Sequence, residues 1–69
     1  MTLAERVKKR RQELSITQAQ LAGMSGVSQQ AINRIESGLI SRPRYILEMS
    51  RALQCEAEWL QYGNTQQRE

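Results

Sequence analysis

Gln29 and Gln30, followed one helical turn later by Asn33 and Arg34, are the residues of this chain best suited to selective chemistry. Carboxamides and a guanidinium on one helix face can donate and accept in pairs. A glutamine can engage N6 and N7 of adenine together, and an arginine can pair with guanine or with a phosphate. An ordinary solvated helix more often carries Glu and Lys. Ser28 precedes this group, where it can cap a helix and also approach a base or phosphate. Gln18 opens an earlier helical segment, whose free N–H groups and dipole favour a phosphate; a plain surface glutamine is the other reading.

Other chemistries lack their residues. The chain has no His and no Asp, and Cys55 is its only cysteine. An intrachain disulfide and a cysteine-rich metal site are therefore excluded. Nothing can activate Cys55 as a His would, so it reads as a small core or boundary residue. Seven glutamates remain, grouped with no metal ligand. Neither an enzyme, a metal, a cofactor nor a small-molecule ligand is expected.

The elements that position these groups read as helices almost throughout. Thr2 with Glu5 makes a capping box for a first helix over about Leu3 to Glu13, with Leu3, Val7 and Leu14 inward and the Lys/Arg run mostly outward. Thr17 with Gln20 makes a second box, and Leu21, Ala22 and Met24 form the apolar side of the helix it opens. Gly26 supplies the positive φ of a tight turn, Ser28 caps a third helix of roughly Gln29 to Ser37, and Gly38 ends it. Pro43 fits the first turn of a fourth helix reaching about Leu53. A last helix, about Ala57 to Tyr62, stops at Gly63, with Trp59 as core. The spacing predicts five short helices around one core over residues 1–63, with 64–69 as a flexible polar tail.

Sixty-nine residues suffice for one small domain. Charge is divided along the chain. Residues 1–14 carry five cations against two carboxylates, and residues 28–46 carry Arg34, Arg42 and Arg44 against Glu36. Residues 47–69 carry four carboxylates against two cations. A polyanion on the basic side accounts for this, as do solvated helix faces. Lys9 and Arg10 are candidates for phosphate contact, a solvated face being the equal alternative. The chain has neither a membrane-length apolar run nor a leader-like start, which predicts a cytoplasmic protein.

The stretch from Gln18 to Ser37 has helix-turn-helix spacing: small Ala22 at the crossing, Gly26 at the turn, and Leu21, Val27, Ile32 and Ile35 between the helices. The chain resembles the lambdoid phage Cro and CI repressors. The likeness runs from Thr2 to Gly63 and is carried by Glu5-Arg6-Val7-Lys8-Lys9-Arg10-Arg11, Thr17-Gln18, Gly26-Val27, Gln29-Gln30, Ile35-Glu36, Arg42-Pro43-Arg44 and Glu58-Trp59-Leu60-Gln61-Tyr62-Gly63. It implies an all-α, compact five-helix lambda-repressor-like domain that binds palindromic operator DNA as a homodimer and occludes a promoter in a bacterial host. It further implies that Gln29 and Gln30 read outer bases, Gln18 and Arg42 meet phosphate, and Arg44 reaches the minor groove. Arg11 and Glu36 then form a buried ion pair, and Glu58, Gln61 and Tyr62 are dimer candidates. Arg34 departs from the family pattern, so operator preference there is open. The chain is either a whole Cro or the DNA-binding part of a longer repressor, Cro being the better fit to its polar end. A restriction controller or an antitoxin on the same fold, and a protein-interaction module, are the competing readings.

Overall fold

The computed structural model describes residues 2–63; the expected tail, 64–69, lies outside the described residues. Five helices follow in order: α1 Leu3–Glu13, α2 Gln18–Ser25, α3 Gln29–Glu36, α4 Ile46–Ala52 and α5 Ala57–Tyr62. Local chemistry sets the first three starts. Thr2 Oγ1 accepts from the Glu5 N–H while the Glu5 carboxylate accepts from the Thr2 N–H. Thr17 and Gln20 repeat this reciprocal pair at α2. Ser28 Oγ accepts from the Ala31 N–H at 3.1 Å to open α3. Each cap satisfies a helix-end donor that has no intrahelical partner.

The turn between α2 and α3 uses Gly26 at φ 77°, whose N–H donates to the Ala22 carbonyl. Only a residue without Cβ takes that conformation without strain. Buried Val27 follows at once and drops into the core beneath both helices. That core comprises Leu3, Val7, Leu21, Val27, Ile32, Ile35, Met49, Ala52, Leu53 and Leu60, drawn from every helix. α3 packs on α1 and α2, α4 on α2 and α5, and α5 on α1.

Four expectations are corrected. Pro43 is buried but lies in the loop; α4 begins only at Ile46, after a turn through Arg44 and Tyr45, and has no side-chain cap. Met24 is 54% exposed, because α2 turns only a narrow side inward. Trp59 is half-buried against the core, while Leu60 is fully buried. Arg10 is no solvated cation. Its Nε donates to the Leu53 carbonyl at 2.8 Å and its NH2 to the Gln54 carbonyl at 3.1 Å, at the C-terminal end of α4. Its NH1 meets Glu13 Oε1 at 3.1 Å.

Arg6 makes the matching clamp one turn earlier. It is 5% exposed and donates through Nε to the Leu60 carbonyl and through NH2 to the Gln61 carbonyl, both at 2.8 Å. Two arginines four residues apart on α1 thus close the carbonyl ends of α5 and α4. Cations suit that end of a helix, where the carbonyls and the dipole are negative.

Candidate nucleic-acid interface

Seven of the eight residues of α3 divide between core and solvent, and Ala31 is half-buried. Ile32, Ile35 and Glu36 point inward, while Gln29, Gln30, Asn33 and Arg34 are exposed, as is Ser28 at the cap. Positions 29, 30, 33 and 34 fall within one arc of a 3.6-residue helix. A helix about 10–12 Å across matches a DNA major groove about 12 Å wide. The exposed arc therefore has the size and the donor–acceptor chemistry to face base edges.

Gln18 joins this arc. An open cavity of about 350 Å³ is lined by Gln18 from α2 and by Gln29, Gln30, Asn33 and Arg34 from α3. Residues 11 to 16 positions apart are brought together by the Gly26 turn. Gln18 is also the first residue of α2, where backbone donors remain open for an anion. Ser28 Oγ is already an acceptor for Ala31, so capping is its assigned use here.

Beneath this surface lies a charged anchor. Arg11 Nε donates to Glu36 Oε2 at 2.7 Å and Arg11 NH2 to Glu36 Oε1 at 3.0 Å. The side chains are 16% and 3% exposed. Arg11 NH1 also donates to the Ile16 carbonyl, between α1 and α2. The hydrogen bond to Glu36, opposed by burial and aided by its charge, holds the Arg11 pKa above its ordinary value. Gln18 Nε2 donates to the same carboxylate at 3.1 Å. Such a fork pairing fixes geometry as well as charge.

The remaining candidates lie outside the cavity. Arg42 and Arg44 are exposed on either side of buried Pro43, and Lys9 is exposed on α1. Arg10 is committed to the end of α4, as described. Glu58 and Tyr62 are exposed on α5. Gln61 Nε2 donates to the Ser41 carbonyl at 2.8 Å and ties α5 to the arginine-bearing loop. Leu39, 76% exposed in that loop, and Leu47, 55% exposed on α4, are apolar surface residues not singled out by periodicity. Arg6 was also missed, although its place between Leu3 and Val7 on the inward face of α1 was a usable signal. Cys55 is half-buried, and burial, countered in part by Arg10, pushes its thiol pKa up. Among the described residues no three His, Cys, Asp or Glu side chains group to hold a metal, and no helix is long and apolar enough to cross a membrane.

Comparison with known proteins places the fold in a family. The model of the helix-turn-helix family matches residues 7–60. The chain belongs to that family. The helix-turn-helix transcriptional regulator for conjugative element R391 from Providencia rettgeri is 40% identical over 63 residues, covering 91% of this chain. The chain spans only 29% of the length of that relative. The P22 c2 repressor crystallised with synthetic operator 9T in the presence of Tl+ superposes with a TM-score of 0.85 at 37% identity, covering 93% of this chain and 98% of that one. The solution structure of the P22 c2 repressor DNA-binding domain gives a TM-score of 0.82 at 36% identity, covering 100% and 92%. The five-helix repressor-domain architecture and the lambdoid resemblance inferred from sequence therefore hold.

Proposed function

We propose that this helix-turn-helix protein is a sequence-specific, DNA-binding transcription regulator that acts as a repressor. The observation that carries the reading is the cavity shared by Gln18 and the exposed arc of α3. It places a phosphate-suited helix start beside four side chains suited to base edges. The repressor crystallised with operator DNA supports the same use of the fold.

In this reading α3 enters the major groove with its N-terminal turn leading. Gln29 and Gln30 read adenines, and Asn33 and Arg34 contact bases further along. Gln18, Arg42 and Lys9 engage phosphates, and Arg44 enters the minor groove. The chain binds a palindrome as a homodimer, with recognition helices about 34 Å apart, one turn of DNA. Exposed Tyr62 and Glu58 and the Gln61–Ser41 junction form the pairing surface. Bound duplex is then closed to polymerase or to a competing regulator, in the manner of a Cro-type repressor in the bacterial cytoplasm.

Selection of bound sequences from a random duplex pool, at about 0.15 M salt where non-specific binding is weak, tests the proposal. The expected result is a palindrome with A·T-rich outer positions and half-sites one turn apart. A folded protein that enriches no sequence would instead point to a protein-interaction module.

A further inference from the structure

We propose that Glu36 is a positioning residue for DNA contact: its buried carboxylate orients the Gln18 amide and so determines what Gln18 shows to DNA. This rests on the DNA-binding function proposed above and adds a role for a side chain that itself faces the interior.

Glu36 Oε1 accepts from Arg11 NH2 at 3.0 Å and from Gln18 Nε2 at 3.1 Å, while Oε2 accepts from Arg11 Nε at 2.7 Å. An ionised carboxylate has no proton to give. The Gln18 amide must therefore meet it nitrogen-first. One N–H is consumed, and the second N–H and the oxygen remain for the cavity that Gln18 lines. A phosphate accepts only, so what it requires of Gln18 is that remaining donor. An unanchored glutamine would reach both amide orientations and several rotamers, and ordering them would weaken binding. The carboxylate removes that freedom before DNA arrives. Arg11 in turn holds the carboxylate in place from α1, so one charged group sets the register of α1, α2 and α3 behind the contact surface.

A neutral amide at position 36 breaks this logic without changing shape. In Glu36→Gln an NH2 in the Oε1 place can donate to the Gln18 oxygen, at the loss of the hydrogen bond from Arg11 NH2, and the forced orientation is lost. The test is a double-mutant cycle of Gln18→Ala and Glu36→Gln, read as affinity for the duplex recovered by selection. Gln18→Ala is expected to weaken binding roughly tenfold in the wild-type background. In the Glu36→Gln background it should weaken binding less than about twofold. Equal losses in both backgrounds would overturn the positioning role while leaving DNA binding standing. Wild-type protein without affinity for any duplex would overturn the proposed function itself.

A second measurement uses only wild-type protein, in case Glu36→Gln folds poorly. The side-chain amide protons of Gln18 should exchange with water markedly more slowly in NMR spectra than those of exposed Gln29 and Gln30. Exchange indistinguishable from those two would overturn the inference.

Discussion

At Gln29 the side chain and its surroundings make a sharp prediction possible, because the residue is exposed, lies in the first turn of α3 and supports no core contact. Gln29→Ala should leave the fold intact and weaken binding to the selected duplex by about 1–3 kcal/mol, the worth of a bidentate base contact. Binding to random DNA should change little. Competition titration against both duplexes checks this, and equal loss on the two would remove Gln29 from base reading. Cys55 permits a prediction of a different kind. Burial makes the folded thiol hold its proton more tightly than the unfolded chain does. Its contribution to stability is then complete below the ordinary thiol range and falls as pH rises through the raised pKa. Alkylation at pH 8 should be slower for the native protein than in denaturant, since the thiolate is the nucleophile. Equal rates would contradict the assigned environment.

At the scale of the helix, legibility in the sequence followed the range of the interactions. The caps at Thr2, Thr17 and Ser28 were readable because each depends on residues no more than three apart. The start of α4 was not, because Pro43 is buried by tertiary packing and Tyr45 makes no side-chain cap. The exposed arc of α3 was readable from side-chain type and period, but its junction with Gln18 needed the crossing of α2 over α3. Arg6 and Arg10 were hidden by their charge. They fall on the inward stripe with Leu3, Val7 and Leu14, yet their guanidinium groups reach carbonyls more than 40 residues away. The clamp has a measurable consequence. Arg6→Met keeps much of the buried stem and removes two charged hydrogen bonds to the end of α5. With about 1.5–3 kcal/mol for each such bond, the loss should be at least about 3 kcal/mol in urea denaturation. A change below 1 kcal/mol, on the order of an ordinary surface substitution, would show that α5 docks without it.

Across the whole molecule the basic and acidic residues are unevenly distributed. The N-terminal helix and the loop before α4 hold most of the cations, whereas the last third of the chain is net acidic. Structure separates the cations further. Arg6, Arg10 and Arg11 are consumed by carbonyls and by Glu36, so the net charge of +3 overstates what is available to a polyanion from α1. Among the described residues Lys8, Lys9, Arg34, Arg42, Arg44 and Arg51 remain at the surface. Each phosphate neutralised by a protein cation contributes about 0.9 to the slope of log affinity against log salt. Arg42→Ala should therefore lower that slope by about 0.9 on any duplex and leave sequence preference unchanged. Arg44→Ala should do more. A cation held in the minor groove favours narrow A·T-rich centres, so its loss should also flatten the preference for the untouched central base pairs. Affinity titrations across a salt series, on two operators differing only at the centre, distinguish these outcomes. Arg10→Ala serves as the internal comparison, because a cation bound to the end of α4 should reduce stability while the salt slope stays as it was. If Arg10→Ala lowered the slope as much as Arg42→Ala, the division of cations into structural and DNA-facing sets would be wrong.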